Sequence, residues 1–129
     1  VSFLSFLGDF TGEWDLDKED VMHVIEGTED RTTRTAAMVA TALAAPSQGS
    51  RELSTWRVRM EPGTEGPLHA IDREQVFMPL EGAFAITMDG VTSTVRARQA
   101  AVLPAGVLRQ VRVVDGPAEA VVCMPAGGT

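Results

Sequence analysis

Residues 83–97, AFAITMDGVTSTVRA, set the fold class. An apolar run from Ala83 to Met88 meets Asp89-Gly90, and a β-branched run from Val91 to Val95 comes next. Asp-Gly supplies the positive φ angles of a type I′ turn, so the segment reads as a β-hairpin. On its N-terminal side, ELSTWRVRM (52–60) alternates, with Trp56, Val58 and Met60 on one side and Thr55, Arg57 and Arg59 on the other. EPGTEGP (61–67) is turn chemistry, and QVFMPLEG (75–82) is a strand followed by a turn. AAVLPAGV (100–107) is a strand ending in a Pro-x-Gly turn, while RQVRVVDG (109–116) and EAVVCMP (119–125) are two further strands.

Toward the N-terminus, TAAMVATALAA (35–45) is ambiguous, because Ala favours helix while the neighbouring segments favour strand. The β pattern from residue 51 onward tips it to strand. MHVIEG (22–27) is a short strand, EDRTTR (29–34) a loop and APSQGS (45–50) a flexible turn. TGEWDLDKED (11–20) is acidic and turn-like. Short strands at this spacing, without long helices, define an all-β sandwich or barrel.

The chain has 129 residues, 44% apolar and 22% charged, which suits one domain with a single core. A formal charge of −7 argues against nucleic acid as a partner, since phosphate binding needs clustered Lys and Arg, and it disfavours an anionic membrane surface. The single cysteine, Cys123, excludes an internal disulfide and a Cys-based zinc site. A free thiol in the apolar AVVCM strand reads as a small core residue, and a reducing, cytoplasmic compartment is the simplest expectation. The N-terminal VSFLSFLGDF has an apolar run of seven residues without a positive leading region, too little for a signal peptide or membrane span. Phe3, Phe6, Leu7 and Phe10 lie at helical spacing, which predicts a short amphipathic helix.

One stretch carries chemistry. In residues 63–82 the chain reads Gly63, five residues, His69-Ala-Ile71, three residues, Gln75, six residues, Gly82. Fifteen residues later comes Arg98, five residues, Pro104-Ala-Gly106, two residues, Arg109, three residues, Val113. The glycines, Pro104 and the spacing resemble the two motifs of the cupin family over roughly residues 51–125. The resemblance implies a single cupin-type jelly-roll β-barrel with a short N-terminal helical or irregular extension. Residues 1–50 would supply the extension and first strands, and 51–125 the motif-bearing part.

In metal-binding cupins two His and a Glu from the first motif and a His from the second converge inside the barrel. Carried over by position, these sites are His69, Ile71, Gln75 and Arg109. Ile71 cannot coordinate a metal and Arg109 repels one, so the resemblance implies a barrel with neither metal nor cofactor.

If the barrel is right, alternation sends Ile71, Gln75, Phe77 and Pro79 inward with His69, and Val111 and Val113 inward with Arg109. An imidazole, an amide and a guanidinium among apolar walls describe a small-molecule site. Arg109 would grip a carboxylate, phosphate or enolate, His69 would act as the base, and Gln75 would orient a carbonyl or hydroxyl. The expected activity is isomerisation, dehydration, epimerisation or ring closure of an organic molecule. A non-catalytic ligand-binding barrel is the alternative, and a metal-dependent cupin enzyme a further one.

Each residue also has a purely structural reading. His69 and Gln75 can be core polar groups hydrogen-bonded within the barrel, and Arg109 can pair with Glu61 or Glu65. Arg57 and Arg59 read as a solvated or interface face, His23 as a structural or edge-strand residue, and Trp14 and Trp56 as core or interface anchors. An exposed sheet face and the Phe-rich N-terminus predict a homodimer.

Overall fold

The computed structural model describes residues 22–127. Seven strands, β1 (Thr32–Arg34), β2 (Met38–Ala42), β3 (Leu53–Met60), β4 (Gln75–Met88), β5 (Val91–Arg96), β6 (Ala101–Leu103) and β7 (Arg109–Pro125), form one antiparallel sheet. Their order is β1-β2-β3-β7-β4-β5, with β6 pairing the start of β4. Two 3-10 turns, Glu29–Arg31 and Pro46–Gln48, are the only helical elements among the described residues. The architecture is the all-β jelly roll that the family resemblance implied, within the sandwich-or-barrel class read from the strand spacing.

The sheet folds back over itself because β4 and β7 each run through both halves of the barrel. The first part of β4, Val76 to Pro79, pairs with β7 at Cys123 to Ala120, whereas Phe84 to Met88 pair with Val113 to Arg109. Register shifts lie between Pro79 and Phe84. A bulge inserts an unpaired residue, bends the strand and reverses which parity faces the core. The large buried side chains accordingly change from odd positions, Gln75 and Phe77, to even ones, Phe84 and Ile86. β7 does the same, from Arg109 and Val113 to Ala118, Ala120 and Val122.

Phe77 and Phe84 measure the bend. Seven residues of straight strand would hold them roughly 23 Å apart. Their ring centroids instead stand 4.8 Å apart, edge to face at 83°. They form one hydrophobic core with Val58, Met60, Val95, Leu103 and Val113, so side chains from both halves share a single interior.

Gly82 makes the bend possible. Its φ is +73°, and a Cβ there would stand 2.5 Å from the Asp115 carbonyl oxygen, so no other residue fits. The turn expected at the end of QVFMPLEG is therefore a bulge within a continuous strand, and the two strands expected at 109–116 and 119–125 are one.

Three other expectations need correction. Residues 22–27 contain no strand; His23 lies exposed in this irregular segment, its ring against Gly49. The loop expected at 29–34 is a 3-10 turn followed by β1, whose Thr32 Oγ1 shares a 3.0 Å hydrogen bond with Thr41 Oγ1 across the β1–β2 pair. Cys123 is half-buried and, adjacent in sequence to the inward Val122, lies on the outer side of β7 rather than in the core. The ambiguous 35–45 stretch does contain a strand, β2, which pairs with β3 from Met38 opposite Met60 to Ala42 opposite Trp56. Trp14 and the helix expected at Phe3, Phe6, Leu7 and Phe10 lie outside the described residues.

Candidate ligand site inside the barrel

The turn-rich segment before β4 does not leave the barrel. It runs beside the start of β7, with Glu65 bridging Arg112 and His69 bridging Arg109. Gly66 N–H donates to the Val111 carbonyl at 2.8 Å, and Gln110 Nε2 donates to the Gly66 carbonyl at 3.0 Å. His69 and Arg109 exchange both backbone hydrogen bonds, at 3.0 and 2.8 Å. Directly opposed residues of an antiparallel pair project their side chains to the same face, so imidazole and guanidinium emerge together.

Both line a cavity of about 140 Å³ inside the barrel, with Gln75, Phe77 and Val111 also in its wall. Met38, Trp56, Val58, Met60, Leu103 and Val122 make most of the remaining lining apolar. Ile71 and Val113, expected to line the pocket, do not. Ile71 uses its carbonyl to accept from Gly106 N–H at 2.7 Å, since the chain turns away from strand geometry after the His69 bridge. Val113 is instead part of the core cluster.

Arg109 is the most constrained side chain of the site, with 1% of its surface exposed. Its Nε donates to the Val107 carbonyl at 3.0 Å, Nη1 to Gln75 Oε1 at 3.0 Å, and Nη2 to the Pro104 carbonyl. All three acceptors are neutral. Neither Glu61 nor Glu65 pairs with it; Glu61 lies 3.4 Å from Arg59 instead. Burial pushes the Arg109 guanidinium below its ordinary range. Arginine starts so high that it stays a cation at any working pH. Of its five N–H donors three are engaged, so two have no partner among the described residues.

His69 Nδ1 stands 2.9 Å from the Pro67 carbonyl oxygen. A carbonyl only accepts, so Nδ1 donates to it, and Nε2 has no hydrogen-bond partner among the described residues. Gln75 Oε1 is occupied by Arg109, and its Nε2 faces Met124 Sδ at 3.7 Å. As a donor set for a divalent ion this fails. It offers one free imidazole nitrogen, an amide oxygen already engaged, an Ile where a second ring would be, and a fixed cation. Among the described residues no group of three His, Cys, Asp or Glu is placed to hold a metal.

A larger groove of about 530 Å³ lies between β5 and β6, but no ionisable side chain lines it. Sequence reasoning placed Trp56, Val58 and Met60 on one face without recognising it as a pocket wall. It missed Met38, hidden in an Ala-rich stretch, and the Pro67, Pro104 and Val107 carbonyls. Backbone acceptors leave no residue-type signal. Arg57 and Arg59 are exposed on the opposite face, where Arg57 pairs with Glu119 at 2.9 Å.

A bent antiparallel barrel with a polar trio set into an apolar cavity is a jelly roll of the small-molecule type. A cupin-domain family model matches residues 56–124, more than half of the chain, and the protein belongs to the cupin family. No curated protein matches it in sequence. Among solved structures, KdgF from Halomonas sp. is 14% identical with a TM-score of 0.65, over 77% of this chain and 92% of that one. An RmlC-like cupin with a double-stranded β-helix fold from Methanocaldococcus jannaschii gives 14% and 0.66, over 82% and 92%. Bacillus subtilis oxalate decarboxylase gives 16% and 0.73 over 93% of this chain, which spans only 34% of that protein's length. These likenesses are of fold. Among the described residues no helix is long and apolar enough to cross a membrane.

Proposed function

We propose that this chain is a metal-independent cupin enzyme that performs acid/base chemistry on a small anionic or carbonyl-bearing organic molecule. The observation that carries this reading is the opposition of His69, with Nε2 free, to a buried Arg109 with unengaged donors. In the proposed step Nε2 removes a proton from carbon adjacent to a carbonyl. The C–H electron pair moves to form an enolate, whose oxygen Arg109 stabilises. Returning the proton to the other face or to a neighbouring carbon gives epimerisation or isomerisation. Expelling a β-hydroxyl, which takes the proton back from Nε2 and leaves as water, gives dehydration, and attack by the enolate on a second carbonyl, whose oxygen takes that proton, gives ring closure. Gln75 holds the guanidinium in place throughout.

A second reading, a non-catalytic ligand-binding barrel, is favoured by the smallness of the cavity and by the bonds that tie Arg109 into the wall. His69→Gln separates the two. The enzyme loses turnover of a carbonyl substrate and keeps ligand binding, whereas a binder changes in affinity alone. The proposal includes a cytoplasmic homodimer, in keeping with the free thiol of Cys123 and the exposed apolar side chains Leu80 and Val102.

A further inference from the structure

The charge of the cavity is set by the chemistry of one side chain, Gln75. Arg109, itself buried, brings one full positive charge to the wall of a partly open, mostly apolar cavity, and its acceptors there are two backbone carbonyls and the Gln75 amide oxygen. An amide oxygen accepts a hydrogen bond with the same reach as a carboxylate oxygen but neutralises nothing. Gln75 is itself buried, 6% exposed, so its amide is fixed rather than solvated. The guanidinium is thereby oriented while no described residue compensates its charge, a costly state in a low dielectric unless an anion is supplied, as a ligand would do.

Size narrows the ligand further. An apolar cavity of about 150 Å³ engineered in another protein accommodates benzene. The space here is about 140 Å³, walled by Met38, Trp56, Val58, Met60, Phe77 and Val122. The cavity is partly open to solvent, and its space takes at most one six-membered ring, the anionic group against Arg109 included. A dianion would leave its second charge unpaired among these walls.

We infer that the cavity selects a compact monoanion, a monocarboxylate with an apolar body of at most one ring, and that Gln75 is the residue that determines this selection. The inference rests on the ligand-binding reading of the cavity and adds to it the class of ligand and the source of specificity.

Calorimetric titration of the full chain with benzoate, benzamide and benzylammonium tests it. Benzoate binds the unaltered protein at least about tenfold more tightly than benzamide, and benzylammonium does not bind. Gln75→Glu, which pairs Arg109 internally, weakens benzoate about 100-fold and benzamide far less, reversing the preference between them. That change in the benzoate-to-benzamide ratio is one that a merely structural role would not produce. Should Gln75→Glu fail to fold, the ratio measured on the unaltered protein still decides the charge selection. Equal affinity for benzoate and benzamide overturns the selection and leaves a neutral small-molecule cavity standing. A folded Gln75→Glu that binds benzoate as before overturns the role of Gln75 alone. Binding of none of the three at millimolar concentration removes the ligand-cavity reading itself.

Discussion

His69 and Arg109 face each other across an antiparallel bridge, each donating its backbone N–H to the other's carbonyl at 3.0 and 2.8 Å. The two motif positions, forty residues apart by number, are thus held by main-chain bonds that no substitution other than proline removes. Replacing either side chain therefore changes the chemistry of the cavity without releasing the strands that frame it.

His69→Gln keeps a polar side chain of similar reach but has no titratable nitrogen. Turnover of a carbonyl substrate falls by about 100-fold or more, while calorimetry finds ligand affinity within a few-fold of the unaltered protein. Equal turnover in the variant removes His69 from the proposed mechanism.

Arg109→Met removes the buried cation and strands Gln75 Oε1, which then has no donor. Urea denaturation detects a loss of about 1–3 kcal/mol. Adding Gln75→Leu to make the double variant recovers most of that loss, because the orphaned amide goes with it. Anion affinity disappears in both variants. A double variant no more stable than the single one means that the pair is not coupled.

Two residues with positive φ behave in opposite ways. Gly82, at φ +73° with the Asp115 carbonyl 2.5 Å from any added Cβ, tolerates no side chain, and Gly82→Ala costs more than about 3 kcal/mol or prevents folding. Arg98, exposed at the turn between β5 and β6 with φ +72°, is a non-glycine residue in the left-handed region. Arg98→Gly relieves that strain and raises stability by roughly 0.5–1 kcal/mol, net of the extra chain entropy. A melting temperature lowered by Arg98→Gly contradicts the argument.

Metal independence predicts that purified, tag-free protein dialysed after exposure to Fe(II), Mn(II), Ni(II) or Zn(II) holds only background metal by elemental mass spectrometry. A chelator leaves its thermal midpoint unchanged, since no ion contributes binding energy to the folded state. Near-stoichiometric retention of any of these metals sinks the proposal.

The proposed homodimer has twice the 13.8 kDa chain mass by light scattering. A species at 13.8 kDa refutes it.

Local chemistry was legible in the sequence wherever a segment's structure depends on its own residues. Asp89-Gly90 forms the hairpin turn with φ of 51° and 74°, and the alternation of Trp56, Val58 and Met60 against Arg57 and Arg59 survives in β3. Gln75 and Arg109 stood out because they fill ligand positions of the two motifs, and in the folded chain they hydrogen-bond each other. What alternation could not reveal is a change of phase. Nothing within QVFMPLEGAF marks Gly82 as a bulge rather than a turn. Its role depends on the Asp115 carbonyl arriving 2.5 Å from where a Cβ would be.

Turn stereochemistry and two-residue periodicity are local, and they were enough to specify an all-β sandwich or barrel and its one obvious hairpin, while the spacing of the two motifs picked out the polar residues of the interior. Three features waited on the folded chain: β4 and β7 run unbroken through both halves, Ile71 turns away from the cavity, and Pro67 holds the tautomer of His69. Each of those depends on a backbone carbonyl brought close by folding, and a carbonyl is the one group that every residue carries alike.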